Sequence, residues 1–116
     1  SCSRQLRRKY MANNFSDASV TISNASLTDI FTASNKSMVI AGTLSNTGTS
    51  AINVTIKKYD NSATATFTII KDAPLPVGSS LEVPKIVLNT SDKVQAQSSS
   101  SSGTLDVALQ LLTDVA

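Results

Sequence analysis

Asp72 to Leu88 reads DAPLPVGSSLEVPKIVL, and the fold turns on this stretch. Pro74 and Pro76 fix φ and remove backbone donors, so Ala73 to Val77 cannot pair as a central strand. Gly78 supplies a permissive backbone where the chain turns, and Ser79 and Ser80 can bond their own backbone. From Leu81 the pattern is apolar, charged, apolar (Leu81, Glu82, Val83), interrupted by Pro84 and resumed by Ile86, Val87 and Leu88. The stretch is a rigid corner followed by two short strands.

On either side the chain is a series of short β segments punctuated by turn residues. Upstream, Ser19 to Ser23 alternates with Val20 and Ile22 on one face, and Leu27 to Thr32 gives a second strand. Ser37 to Ser45 gives a third, in which Gly42 is expected to mark a bulge. Ile52, Val54 and Ile56 alternate with polar residues, and Thr64 to Ile70 returns antiparallel after a turn at Tyr59 to Ser62. This hairpin is expected to bury Ile52, Val54, Ile56 and Phe67 or its neighbours. Downstream, Asn89 to Asp92 turns into Lys93 to Ala96, and Ser98 to Gly103 is a serine-rich loop. Leu105, Val107, Leu109 and Leu111 then alternate with Asp106, Ala108 and Gln110. A helix over 104–112 is the rival reading; the strict period of two favours a strand. Eight or nine strands spaced about ten residues apart predict an all-β fold, a single antiparallel β-sandwich or jelly-roll-like domain of about eight strands.

A length of 116 residues suits one domain with one core. Hydrophobic residues make up 41% but aromatics only 4%, so the core has to be built from Val, Ile, Leu and Ala. No apolar run approaches the roughly 18 residues of a membrane span, and no membrane partner is expected. Nor does Ser1 to Tyr10 have the apolar centre of a secretory signal. The formal charge is +2, yet Arg4, Arg7, Arg8 and Lys9 all fall in the first ten residues. The remainder holds six basic residues against eight acids, a net of −2. Residues 1–12 therefore read as a basic N-terminal arm and 13–116 as the sandwich domain. A second reading of the arm stays open: Arg7-Arg8 can be encoded as AGGAGG, a bacterial ribosome-binding sequence, shortly before an ATG for Met11, which would make residues 1–10 a translated leader.

The chain has no histidine, and its one cysteine, Cys2, lies in the arm. That removes Ser/His/Asp and Cys/His catalysis, an internal disulfide and a cysteine zinc site. The eight acids are scattered and read as solvated surface, with no calcium ladder and no glycine-rich phosphate loop. No metal, cofactor or catalytic residue is expected, and the chain reads as a non-enzyme. Nucleic acid is not an expected partner, since four charges on an arm give weak, salt-sensitive binding at best. Sequons at Asn14, Asn24, Asn35, Asn53 and Asn89 are chance products of an Asn, Ser and Thr-rich chain, and no glycosylation is expected. What remains is surface binding, for which the candidate interface is the arm cations Arg4, Arg7, Arg8 and Lys9 together with Leu75 and Val77 of the corner. Leu75 has an equal alternative: it packs inside and closes the sandwich.

MANNFSDASV, LTDIFTAS, LSNTGTSAINVTI, IIKDAPLPVGSSLEVPKIVL and SDKVQAQSSSSSGTLDVALQLL together resemble small β-sandwich virion proteins of tailed bacteriophages, of the marine phage and cyanophage type. The resemblance covers Met11 to Leu112 and leaves the arm outside. It implies a structural protein of the particle, assembled in the bacterial host cytoplasm and located in the virion. The leading expectation is a capsid decoration (cement) protein, a homo-oligomer bound to the major capsid protein or other virion proteins. The alternatives are a head–tail connector, neck or tail component, and a carbohydrate-binding module of a fibre.

Overall fold

The computed structural model describes residues 14–102 and 104–115, so Arg4, Arg7, Arg8 and Lys9 lie outside the described residues. Nine strands make up the fold: β1 (Asn14–Ile22), β2 (Thr28–Thr32), β3 (Ser37–Asn46), β4 (Ile52–Asp60), β5 (Ala65–Leu75), β6 (Ser80–Val83), β7 (Ile86–Leu88), β8 (Lys93–Ser98) and β9 (Leu105–Thr113). They form two sheets. The first, sheet A, runs β1-β9-β3-β6, with β7 also on β3; the second, sheet B, runs β2-β8-β4-β5. Every pairing is antiparallel.

The pairings are nested. β4 pairs with β5, β3 with β6 and β7, β2 with β8, and β1 with β9. A long hairpin whose tip is the β4–β5 turn has been rolled up so that its arms alternate between the sheets, which is the jelly-roll arrangement. The sequence expectation of a sandwich or jelly roll holds, and β9 is a strand rather than a helix. A count of nine arises because Pro84 interrupts one arm: β6 pairs with Gly42–Ser45 and β7 with Ser37–Val39 along the same side of β3. Proline cannot donate to the ladder, so the arm breaks there and resumes.

Period-two patterning fills the interior. Val39 and Leu44, Ile52, Val54 and Ile56, Val94 and Ala96, and the four alternating residues Leu105 to Leu111 face one another across the two sheets. No aromatic side chain is among the fully buried hydrophobics of the described residues, although Phe31 packs partly buried against them. Of the two possibilities for the returning strand, Phe67 or its neighbours, Phe67 is not the buried one: it is 53% exposed. β5 is the outermost strand of sheet B, and register shifts at Val54/Ile56 and Ile56/Lys57 change its phase. Ile69 and Ile70 pack against the core instead.

Gly42 is not the bulge. The register shift of β3 against β9 falls between Val39 and Ala41. Gly42 marks a close approach, because a Cβ there would lie 2.8 Å from Leu109 Cδ2 and 3.0 Å from the Ala108 carbonyl oxygen.

The corner works as its prolines and glycine dictate. Pro74 sits opposite Asn53 on an edge strand, where a missing donor costs no ladder bond on the open side. Gly78 has φ of +73°, and the Ser79 amide donates to the Pro76 carbonyl at 3.1 Å, closing a turn that needs glycine at its third position. Buried Asn46 pins this corner. Its Nδ2 donates to the Leu75 and Ser50 carbonyls at 3.0 and 2.9 Å, while its Oδ1 accepts from the Gly48 amide at 2.9 Å.

Candidate interaction face

Each strand of sheet A sends alternate side chains inward and outward. On β1 the inward set ends in buried Ile22 and opposes Leu105 to Leu111, so Phe15 points outward. Leu112 on β9, Met38 on β3 and Val87 on β7 are likewise out of phase with their buried neighbours Leu111, Val39, Ile86 and Leu88. Registers then place the four on one line: Phe15 opposite Leu112, Leu112 opposite Met38, and Met38 opposite Val87. With strands about 4.8 Å apart, the row crosses the outer face over about 14 Å. Phe15 is 82% exposed and Val87 52%, while Leu112 and Met38 are half-buried between them.

Beside this row lies an open depression of about 370 Å³, lined by Ile40, Ala41, Thr43, Pro84, Lys85 and Gln110. It exists because the break at Pro84 and Lys85 leaves β3 uncovered between β6 and β7. Farther along the same face the rows become polar: Thr21 Oγ1 donates to Asp106 at 2.6 Å, and Ser45 stands opposite Ser80. The strands of sheet A carry three carboxylates, Asp17, Glu82 and Asp106, and no lysine or arginine. This face is therefore apolar at one end and polar elsewhere, with three carboxylates on its strands and Lys85 in the break between β6 and β7.

Sheet B presents a different outer surface. Asp29 on β2 accepts from Gln95 Nε2 at 2.8 Å and Lys93 Nζ at 3.2 Å. The Gln95 hydrogen bond, with Lys93 added and slight burial opposing, holds the Asp29 carboxyl below the usual carboxylate range. Lys93 also sits 5.9 Å from the Tyr59 ring centre. Those side chains pair with one another, with only Gln95 Oε1 left without a partner, whereas the apolar row of sheet A has nothing against it among the described residues.

Of the corner residues proposed from sequence, Val77 is 51% exposed, but Leu75 is buried at 2%. Leu75 closes the sandwich, and no partner can reach it without opening the core. The Pro76 carbonyl is not open to a partner strand either, since Ser79 donates to it from both its amide and its hydroxyl. Sequence reading also left Asp92 on the surface. It is 1% exposed, and its carboxylate accepts from the Asn61 and Asn89 amides at 2.9 Å each, with Lys58 Nζ at 3.8 Å. The four residues of the apolar row were not foreseen. Their one sequence signal is being apolar out of phase with the strand that carries them. Among the described residues no group of three His, Cys, Asp or Glu could hold a metal ion.

No protein-family model matches the sequence, and no curated protein matches it. Solved structures do resemble it in fold. A chain from the disulfide-linked pili of Bacillus endospore appendages superposes with a TM-score of 0.51 at 20% identity, covering 90% of this chain and 91% of that one. A capsid chain of Helicobacter pylori bacteriophage KHP30 gives 0.53 at 12% identity, covering 86% and 85%. A chain of the infectious bursal disease virus particle gives 0.55 at 13% identity, covering 87% of this chain but only 30% of that one. At these identities the likeness is one of fold.

Proposed function

We propose that the chain is a non-enzymatic structural subunit of a bacteriophage particle, a decoration protein that seats the outer face of sheet A on the assembled shell. The observation that carries this reading is the four-strand apolar row Phe15–Leu112–Met38–Val87, exposed at both ends. Covering a side chain as open as Phe15 contributes about 1.5–3 kcal/mol, so the row favours a partner surface with an apolar centre. The likeness in fold to phage and virus capsid chains and the sequence resemblance to phage virion proteins both support a place in the particle.

Decoration of this kind works by linkage. A protein that binds the assembled lattice and not its separated subunits stabilises the lattice by about 2.7 kcal/mol per site at a free concentration 100-fold above Kd. The basic arm, residues 1–12, precedes β1 in the chain and Phe15 is the second residue of β1, so Arg4, Arg7, Arg8 and Lys9 are proposed to contact the same partner, with Val77 a contact from the corner. Phe15 and Phe67 sit on different sheets and make no joint aromatic platform, which does not support a carbohydrate module.

A second reading, a neck, tail or other axial component, draws on the pilus chain, whose whole length this fold nearly spans. Quantitative mass spectrometry of purified particles separates the two. A copy number that follows the shell lattice supports decoration, a number set by the single tail axis supports the second reading, and absence from the particle defeats both.

A further inference from the structure

The two sheets have four lateral edges, and three of them are protected against pairing with another chain. β2 is five residues long with a register shift between Asp29 and Phe31. β5 carries Lys71, Pro74, two register shifts and a left-handed residue, Asp72 with φ of +46°. The β6–β7 edge is two pieces of four and three residues with Pro84 and Lys85 between them. Short strands, prolines, lysines and bulges are the devices that keep edges from pairing with other chains. β1 has none of them. It is nine residues, NFSDASVTI, with no proline, no lysine and an unbroken register from Asn14↔Thr113 to Ile22↔Leu105. Its other side pairs with no strand among the described residues.

We propose that the open edge of β1 pairs antiparallel with β1 of a second copy of this chain, joining two sheets A into one continuous sheet. A single open edge among four can be matched within identical copies only by itself, which makes the contact two-fold and closed rather than head-to-tail. The sequence of β1 suits this. With Ala18 opposite Ala18 on the axis, all nine residues overlap, and each residue meets one of its own face, because any shift by one would turn core-facing residues outward. Phe15 then opposes Thr21, an aromatic against a β-branched residue, and Asp17 opposes Ser19 rather than another carboxylate. The two apolar rows come to lie on one outer face, related by the two-fold. The pairing stands independently of what those rows bind, but it makes any lattice contact bivalent, which raises avidity by a factor on the order of 100 or more where both sites are in reach.

Sedimentation of the full chain over a range of concentrations is expected to show a dimer. Ser16 is exposed and faces the core side of the edge, so Ser16→Lys is expected to give a monomer with unchanged melting, while Thr66→Lys on the protected β5 edge leaves the dimer intact. Register is read separately in a Cys2→Ser background: Ala18→Cys should cross-link two copies on mild oxidation, and Ser16→Cys should not. A monomer at every concentration would overturn the proposal, as would a dimer indifferent to Ser16→Lys. If Arg7→Glu with Arg8→Glu dissolves the dimer and Ser16→Lys does not, the occupant is the basic arm and the β1 pairing is wrong. Val87→Asp, on the far edge of the sheet, tests the shell-binding reading instead: it should remove particle binding and leave the dimer.

Discussion

Asp92 sits in a polar turn between β7 and β8, yet its carboxylate is sealed inside and takes hydrogen bonds from the Asn89 amide of its own turn and the Asn61 amide of the β4–β5 turn. It ties the β4–β5 turn to the start of β8, with Lys58 as counter-ion. Removing it leaves a cavity at a sealed site and strips two part-buried amides and a lysine of their partner, so Asp92→Ala is expected to cost about 1–3 kcal/mol in denaturant unfolding. Asp29 and Asp60 act in the opposite setting, near solvent. Hydrogen bonds from Gln95 and from Ser62, respectively, lower their carboxyls below the ordinary value. Folded-state values below unfolded ones mean a contribution fully present above the unfolded value of about 3.9 and lost as pH falls through the folded values. Thermal midpoints should therefore hold from neutral pH to about 5 and fall below about 4. An Asp29→Asn, Asp60→Asn variant should show a shallower fall; an unchanged slope would remove these two groups from the acid response.

Among the elements, the corner and the split strand decide what the surface offers. The corner's two apolar residues separate by burial: Val77 faces water and Leu75 enters the core, where Asn46 holds its carbonyl. Leu75→Asp is expected to unfold the free domain rather than yield a folded protein defective in binding, because a buried unpaired carboxylate costs several kcal/mol. A folded Leu75→Asp protein would contradict that placement. Val54→Ala, in the middle of β4 and fully buried, is expected to cost about 2–4 kcal/mol. The Pro84 break shapes the outer face by opening the depression beside Met38 and Val87.

At the scale of the molecule, the nested pairing places the first and last described strands side by side. Asn14 and Asp114, a hundred positions apart, are hydrogen-bonded at 3.2 Å. Only this closure sets Phe15 against Leu112, and only the position of β3 between β9 and β7 carries the row on to Val87. Replacing Phe15 or Val87 by Asp should leave the melting midpoint within about half a kcal/mol of the parent, as exposed substitutions do, while binding to particles falls at least about 10-fold, equivalent to 1.4 kcal/mol. Unchanged binding with both replaced would take sheet A out of the interface.

The sequence by itself determined the all-β class, the corner, the β4–β5 hairpin, the strand at 105–111 and a core built mainly of Val, Ile, Leu and Ala. Each follows from local rules: a side-chain period of two, the fixed φ of proline, and turn residues that punctuate strands. It also held a trace of the candidate face, since Phe15, Met38, Val87 and Leu112 are apolar where their strands should be polar. Tertiary structure alone decided that these four residues share one line, that β1 is the undefended edge, that Leu75 points inward and that Asp92 is buried. Those facts depend on register between strands far apart in the chain. Register is fixed by how two whole faces bury together, not by any residue's neighbours in sequence.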